Sequence, residues 1–183
     1  RGSFAWLDDD GNPNRGNLAV LGSASLNHPA ARALFTGAPQ PIEEAFSAAA
    51  ESTPQAFDLA TRVSIGTTSS HRRVDSWNVI ARLEGSDPVL RDEHVVYVAH
   101  VDHFGIGVEV DGDAIYNGAH DNASGTSIVL EIARAFASLP TKPRRSVLFL
   151  IATAEEWGLL GSDYFVENPT VPRSSLVASF SLD

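Results

Sequence analysis

Cysteine is absent from this 183-residue sequence, and its absence excludes several kinds of chemistry at once. The chain cannot form a disulfide, bind a metal through a thiolate or use a cysteine nucleophile. Long apolar runs are missing too, since none approaches the roughly 20 residues that a membrane-spanning helix needs. We therefore predict no membrane span within these residues, and these absences leave the cellular compartment open.

Basic residues are also scarce, with 13 lysines and arginines against 23 aspartates and glutamates, giving a formal net charge of -10. Proteins that bind nucleic acid rely on clustered lysine and arginine to neutralise phosphates. Arg144 and Arg145 are adjacent, but the solvated start of a strand explains this pair better. We therefore predict no nucleic-acid partner. The hydrophobic content of 43% is ordinary for a globular domain.

The first 70 or so residues differ from the rest of the chain in composition and in the pattern of apolar residues. Glycine, proline, alanine, asparagine and serine are common there, and the apolar runs are short and irregular. The pattern predicts one helix from His28 to Phe35, a second from Pro41 to Glu51 and a strand from Ala60 to Ile65. Few of these residues are candidates for catalysis or metal binding.

From Trp77 onward, strand and helix patterns alternate, which is typical of an α/β sheet covered by helices. The run from Val147 to Ile151 is apolar throughout, which predicts a central strand buried on both faces. The apolar residues that follow Ser124 recur at helical spacing, and Pro140 follows the end of that pattern. The predicted strands are 78–83, 95–99, 147–152 and 176–182, and the predicted helices are 124–138 and 159–166.

Potential metal ligands follow the predicted strands, where open α/β sheets keep their binding sites. His100 and Asp102 come directly after strand 95–99. If the extended geometry continues, Asp102 points to the same side as His100 and its carboxylate can accept a hydrogen bond from one ring nitrogen. Asp121 lies in a polar loop bounded by glycines, where the alternative role is that of a turn residue or helix cap.

Three further carboxylates stand at strand ends. Glu155 and Glu156 directly follow the buried strand, where adjacent carboxylates lose hydration and repel each other, so that they need a cation or a proton. The alternative is a solvated first helical turn, which also favours acids. Asp183 could be an ordinary strand terminus. Taken together, one histidine and several carboxylates form a nitrogen and oxygen donor set that suits zinc, and so many acids favour two ions over one.

Four segments of the sequence resemble the zinc aminopeptidases of metallopeptidase family twenty-eight. They are AHVDH at 99–103, NGAHDNASG at 117–125, TAEEWGLLGS at 153–162 and SLD at 181–183. The resemblance runs from about Trp77 to Asp183. It implies a mixed, mostly parallel α/β sheet flanked by helices, of the phosphorylase/hydrolase-like kind found in zinc exopeptidases, and a catalytic domain truncated at its C-terminus.

The resemblance also implies a division of the chain. Residues 2–35 look like the tail of the protease-associated insert that many members carry before the catalytic domain. We therefore predict that residues 1–58 are the tail of such an insert with a linker, and that residues 59–183 are the N-terminal part of the zinc peptidase catalytic domain. Because the sequence opens at Arg1 and closes in an apolar run, we expect it to be a piece of a longer protein.

Carried over residue by residue, the resemblance implies a site with two zinc ions. His100 and Asp183 would bind one zinc, Asp121 would bridge both ions, and Glu156 would bind the second. The remaining histidine ligand of the second zinc would lie beyond residue 183. The chain alone is therefore expected to bind the second zinc weakly and to be catalytically inactive.

Two other residues receive roles from the resemblance. Glu155 would be the general base that takes a proton from the attacking water, and Asp102 would orient His100. The peptide bond between Asp121 and Asn122 would be cis. His103 and His120 are nearby histidines to which we give little weight as ligands. Without metal, repulsion between the acids is expected to raise the pKa of at least one carboxyl, first of all Glu155 or Glu156.

The predicted function is metal-dependent hydrolysis of N-terminal peptide bonds, with a peptide or protein as substrate. The resemblance implies a secreted, periplasmic or cell-envelope location. A carboxypeptidase and a glutaminyl cyclotransferase of the same fold are alternatives, and a non-catalytic receptor-like module is another. Such a module would normally have lost its ligands. Here the four visible ligands and the general base, five positions in all, are intact. Oligomeric state and side-chain preference stay open.

Overall fold

The computed structural model describes residues 3–14, 22–68 and 70–183, which fall into two compact units. The larger unit contains residues 3–14 and 73–183, and the smaller contains residues 22–68 and 70–72. Within these ranges, none of the helices has the length and apolar character needed to cross a membrane. Residues 1–2 and 15–21, which belong to the predicted insert tail, lie outside the described residues.

The smaller unit contains two helices, α1 (His28–Leu34) and α2 (Ile42–Ala50). Both helices predicted for this part of the chain are therefore confirmed. The side-chain oxygen of Asn27 accepts a hydrogen bond from the main-chain nitrogen of Ala30 at 3.0 Å and so caps the start of α1. The strand predicted for residues 60–65 is wrong, because these residues are irregular and their apolar side chains are largely exposed. Branched residues favour a strand only where neighbouring strands pair with it and bury its side chains.

The larger unit is built on a four-stranded sheet with the strand order β1-β5-β2-β6. Strand β1 runs antiparallel to β5, whereas β5, β2 and β6 run parallel to one another. This confirms the predicted mixed, mostly parallel α/β sheet. The elements, in chain order, are β1 (Val79–Leu83), β2 (His94–His100), β3 (Gly105–Val110), β4 (Asp113–Tyr116), α3 (Gly125–Ala137), β5 (Ser146–Ala152), α4 (Leu160–Glu167) and β6 (Leu176–Ser181).

Strand β5 carries both hydrophobic cores of this unit, and all seven of its residues are buried. Successive side chains of a strand point to opposite faces of the sheet. The residues at 147, 149 and 151 therefore pack with Val129 of α3, and those at 148, 150 and 152 pack with Phe165 of α4. Because helices cover both faces, the strand is apolar throughout instead of alternating.

The parallel strands bring distant parts of the chain to one edge of the sheet. His100 at the end of β2 is aligned with Ala152 at the end of β5. Beyond the end of β6, the main-chain nitrogen of Leu182 still donates to the carbonyl oxygen of Val98 at 2.9 Å. The segments that follow these three strands therefore start side by side. They contain Asp102, Glu155, Glu156 and Asp183, and His100 is the last residue of β2.

A two-stranded hairpin of β3 and β4 was not predicted from the sequence. Its strands are joined at Asp111 and Gly112, which both have positive φ angles, 52° and 87°. An Asp-Gly pair between alternating residues is a signal for such a two-residue turn. The signal was therefore present in the sequence, next to the loop that carries Asp121.

Candidate metal centre

His100 is the buried centre of the first group of donor atoms, with 3% of its surface exposed. Its Nδ1 lies 3.0 Å from the carbonyl oxygen of Asp102, and because a carbonyl can only accept, Nδ1 carries the hydrogen. The other ring nitrogen, Nε2, then faces Asp121 Oδ1 at 3.1 Å and Asp183 Oδ1 at 3.0 Å. Three acceptor atoms that converge in this way need a cation or a proton among them.

A second group of donors consists of His103, Asp121 and Glu156. In each group the ligand atoms all lie within 4.8 Å of one another, and Asp121 belongs to both. Ligands about 2.1 Å from a tetrahedral zinc ion are about 3.4 Å apart, close to the spacing around His100. The first group therefore fits a zinc ion, and Asp121, which belongs to both groups, would be available to a second ion.

The distance between His103 and Glu156 is shorter than expected for two ligands of one zinc ion. Nδ1 of His103 is only 2.5 Å from Oε1 of Glu156. Two atoms bound to the same zinc would be farther apart, whereas a short hydrogen bond has this length. The ring also lies beside Phe104 and Tyr116, with centroid distances of 5.1 and 6.3 Å. His103 thus holds one oxygen of Glu156. Its sequence signal was its position three residues after His100.

Asp102 makes different contacts from those predicted. Its carboxylate oxygen Oδ1 lies 3.8 Å from Nδ1 of His100, which is too far for a hydrogen bond. Extended geometry ends with β2 at His100, so the main-chain carbonyl of Asp102 faces the ring in place of its side chain. The two carboxylate oxygens instead accept hydrogen bonds from the main-chain nitrogens of Glu155, at 2.9 Å, and Glu156, at 3.3 Å.

Glu155 lies beside the first group, with its Oε2 3.9 Å from Nε2 of His100 and its side chain 22% exposed. Burial raises the pKa of the Glu155 carboxyl. His100 lowers it, but Asp183 and the other acids raise it further, so the net shift is upward. The direction agrees with the expected rise of at least one carboxyl pKa in the metal-free site, but burial, and not repulsion between the acids, is the largest cause.

The pKa of His100 is shifted by opposing effects. Burial lowers it, whereas the hydrogen bond with Asp183, the carbonyl of Asp102 and the negative charge of Glu155 raise it, and the net shift is upward. The site therefore favours positive charge at this ring. A metal ion would supply the same positive charge without a proton.

Asn122 is a structural residue of the site that sequence reasoning missed. The side chain is 2% exposed; its Nδ2 donates to the carbonyl oxygen of Leu182 at 2.8 Å, and its Oδ1 accepts from the main-chain nitrogen of Gly125 at 2.8 Å. A Cβ atom on Gly125 would collide with the carbonyl oxygen of Leu182, which explains the glycine. The peptide bond between Asp121 and Asn122 is cis, as predicted.

The segment 3–14 packs within the larger unit. Trp6 donates a hydrogen bond from Nε1 to Asp163 of α4 at 2.7 Å, and the ring of Phe4 lies 4.4 Å from that of Trp157, centroid to centroid. Trp157 directly follows the two glutamates. Packing does not reveal which domain these residues come from, so the predicted boundary between residues 58 and 59 stays a prediction.

The predicted convergence of the site residues is confirmed for all five potential ligands and bases. The catalytic and metal-binding roles given to them stay predictions. His120 belongs to neither group among the described residues. The residues brought together are His100, Asp121 and Asp183 in one group, Asp121 and Glu156 in the other, and Glu155 beside the first.

A cleft of about 370 Å³ opens beside His103 and is also lined by Tyr116 and Asn117.

Residues 78–183 match the model of Peptidase family M28. Aminopeptidase NAALADL1 of Mus musculus is 37% identical over 106 residues, which cover 54% of this chain and 12% of the relative. Aminopeptidase YwaD of Bacillus subtilis is 38% identical over 71 residues, which cover 39% of this chain and 15% of the relative. A probable zinc metalloprotease of Pyrenophora teres f. teres is 35% identical over 112 residues, which cover 60% of this chain and 23% of the relative.

A crystal structure of a peptidase M28 precursor from Shewanella amazonensis SB2B is also similar to this chain. The sequence identity is 32% and the TM-score is 0.48, with 57% of this chain and 21% of that chain covered. The chain spans 12%, 15% and 23% of the length of these three curated relatives.

Proposed function

Because the chain belongs to peptidase family M28, we propose that the protein containing it is an aminopeptidase with two zinc ions. The observation that carries the proposal is the convergence of two histidine and carboxylate groups that share Asp121. Two of the similar proteins are named aminopeptidases, and a third is named a probable zinc metalloprotease. These names support the reaction and the metal.

The donor set determines which residues would hold the metal ions. His100, Asp121 and Asp183 would hold one zinc, and Asp121 and Glu156 would hold the other. When bound, such ions polarise the scissile carbonyl group and lower the pKa of water. Imidazole nitrogen and carboxylate oxygen are ordinary zinc donors, and no thiolate is needed.

Glu155 is the residue that moves the proton. Its Oε2 takes a proton from the water that attacks the peptide carbonyl and returns it to the nitrogen of the departing amine as the C–N bond breaks. In the absence of metal, burial raises the pKa of this carboxyl, which favours its accepting a proton. Glu156 is tied to His103 through Oε1, so the two adjacent glutamates have separate tasks.

Within the described part of the chain, the ion-pair partners of the site carboxylates are His100 and His103, and none is a lysine or an arginine. Two zinc ions would offset the charge of these acids, so that the charge does not select one end of a peptide. The proposal of an aminopeptidase rests on the names of the similar proteins, and hydrolysis assays separate it from a carboxypeptidase.

The direct test uses the whole protein, freed of metal with a chelator and then reloaded with zinc. We expect hydrolysis of leucyl-anilide only after zinc is restored, and none of N-acetyl-leucyl-anilide. Cleavage of the blocked substrate alone, or of a peptide's C-terminal glutamate alone, would rule out the aminopeptidase proposal. Ring closure of an N-terminal glutamine would indicate the cyclotransferase instead.

We also propose that the 183-residue chain alone binds one zinc tightly and a second weakly, and that it turns over little substrate. The support is the ligand count, because His103 is hydrogen-bonded to Glu156, which leaves two donors for the second ion. Catalytic zinc sites normally have about three protein ligands. Calorimetric zinc titration of the chain and of the whole protein checks this. Two tight sites in the chain would show that His103 is a ligand.

We further propose that the protein is secreted, periplasmic or held in the cell envelope. Family membership is the support for this location. Fractionation of cells that produce the whole protein, followed by an aminopeptidase assay of each fraction, tests it. Activity confined to the cytoplasmic fraction would contradict the proposal.

A further inference from the structure

We propose that His103 is a positioning residue for the second metal ion, because it holds Oε1 of Glu156 by a hydrogen bond and leaves Oε2 as the oxygen that binds metal. The inference rests on the proposed function, since it assumes that Glu156 binds the second ion. His103 touches neither metal nor substrate in this proposal. It acts through the carboxylate of Glu156.

The contact between these two side chains is short and largely enclosed. Nδ1 of His103 lies 2.5 Å from Oε1 of Glu156, and the side chains are 19% and 11% exposed. A carboxylate can only accept a hydrogen bond, so Nδ1 carries the hydrogen. Among the described residues, no hydrogen bond reaches Oε2 of Glu156. Oε2 is therefore the oxygen that stays available to a cation.

The ring of His103 is held in place by its neighbours. Its centroid lies 5.1 Å from that of Phe104 and 6.3 Å from that of Tyr116. Gly118 has a φ of 65°, and a Cβ atom added there would lie only 2.8 Å from Cβ of His103. Glycine thus lets the loop before Asp121 pass close to this histidine. The ring keeps one orientation, with Nδ1 towards Glu156.

The β3–β4 hairpin supplies the ring of Tyr116 for this packing. Tyr116 lies opposite Gly105, and its hydroxyl donates a hydrogen bond to the carbonyl oxygen of Val108 at 3.1 Å. A Cβ atom on Gly107 would lie 2.8 Å from Cε2 of Tyr116, so the tyrosine ring rests against the main chain of β3. The hairpin, which was not predicted from the sequence, therefore supports the second metal position through Tyr116 and His103.

A direct ligand role is the alternative for His103, because its donor atom lies within 4.8 Å of those of Asp121 and Glu156. Nδ1 is engaged with Glu156, so a ligand role would require Nε2 or the loss of the hydrogen bond. The two roles differ in what they predict for the ring nitrogens. A positioning residue keeps its Nδ1 hydrogen when metal binds, whereas a ligand bonds to the ion through one nitrogen.

The first measurement is NMR of the whole protein labelled at the histidine nitrogens, before and after loading with an NMR-active isotope of Cd²⁺. We expect a low-field Nδ1–H signal from His103 that persists after loading. Spin coupling to cadmium should appear at His100 and not at His103. Coupling at either ring nitrogen of His103 would overturn the proposal, and this result needs no variant to fold.

The second measurement is titration of the whole protein with Co²⁺, followed by its visible absorption bands. His103→Leu removes the donor and should weaken binding of the second ion about 10- to 100-fold, the usual range for residues that support ligands. His103→Asn keeps an N–H donor two bonds from Cβ, as Nδ1 is, and should stay within about 3-fold of the wild type. Equal weakening by both variants, or none by His103→Leu, would refute the positioning role.

His120→Leu is the matched control. His120 directly precedes Asp121, is exposed and belongs to neither donor group among the described residues. This variant should change neither ion's affinity, and the first ion's affinity should also be unchanged in both His103 variants. A weakening equal to that of His103→Leu would mean that loss of any nearby histidine explains the effect, and the proposal would fail.

The two proposals can fail separately. A whole protein that binds two ions with the expected histidine signals, but hydrolyses no peptide, would disprove the proposed function alone. A protein that hydrolyses peptides while His103 couples to cadmium would disprove the positioning role alone.

Discussion

His94 and His100 stand at opposite ends of strand β2, and both are 3% exposed, yet their surroundings differ. Burial and the nearby Arg82 lower the pKa of His94, and the contributions of Asp92 do not offset them. At His100, carboxylates outweigh burial and the pKa is raised. The same residue type at equal burial is thus kept neutral at one edge of the sheet and drawn towards positive charge at the other.

The acids at the two edges differ in the same way. At the amino ends of β2 and β5, Asp87 pairs with Arg144 at 2.8 Å and Glu93 pairs with Arg145 at 2.5 Å. At the carboxyl ends, the ion-pair partners of the site acids among the described residues are His100 and His103, and no arginine or lysine pairs with them. One edge is neutralised by the protein itself, whereas the other needs a cation from outside.

Glu155→Gln should have the largest effect. Removal of the general base is expected to lower kcat about 10²- to 10⁴-fold, with zinc binding retained. Glu93→Gln, at the opposite edge, breaks an exposed pair with Arg145 and should change stability by less than about 1 kcal/mol without affecting kcat. Steady-state kinetics and calorimetric zinc titration of both variants make the comparison. Normal turnover in Glu155→Gln would remove this residue from the mechanism.

Zinc removal should affect the two edges unequally. Free zinc at about 1000 times its dissociation constant should raise the free energy of unfolding of the whole protein by about 4 kcal/mol. Urea unfolding with zinc and with a chelator measures this difference. Hydrogen exchange should slow around residues 100–103, 119–125 and 153–158 when zinc is present. Equal slowing at residues 85–94 would contradict the idea that only one edge depends on cations.

Gly125→Ala and Gly85→Ala provide a matched pair of packing changes. A Cβ atom at Gly125 would collide with the carbonyl oxygen of Leu182, and one at Gly85 with that of Arg144. Both should cost about 1 to 3 kcal/mol, as is usual for overpacking. Only Gly125→Ala should also weaken zinc binding, because it displaces Asn122 and the loop of Asp121. Chemical unfolding and zinc titration distinguish the two, and unchanged zinc affinity in Gly125→Ala would count against this role of Asn122.

His94 should give the smallest effect, visible only in the pH dependence of stability. Because its pKa is lowered in the folded state, the unfolded chain binds more protons there, and stability falls as the pH drops below about 6.5. Nδ1 of His94 lies 3.0 Å from the hydroxyl oxygen of Ser175. His94→Asn keeps a group that can form a hydrogen bond with this hydroxyl and removes the proton that His94 binds. The wild type should therefore lose up to about 1.4 kcal/mol per pH unit relative to the variant. Parallel curves from metal-free urea unfolding between pH 7 and 5 would refute the assignment.

The sequence predicted the main elements of the larger unit because their signals are local. The unbroken apolar run of β5 and the helical spacing of α3 are set by burial against both faces of one sheet. The irregular stretch 60–65 was mispredicted because branched residues alone do not make a strand without a partner. The β3–β4 hairpin was missed although Asp111 and Gly112 carried its turn signal.

The sequence by itself determined which donors are available: one histidine and four carboxylates at strand ends, with no thiolate among them. Only the tertiary structure decided which atoms meet. It directed the carbonyl of Asp102 to His100 and its carboxylate to the glutamate amides, and it paired His103 with Glu156. The physical reason is that residue type and spacing fix which groups a strand end presents, whereas hydrogen-bond partners depend on how the chain turns after the strand and which segments pack beside it.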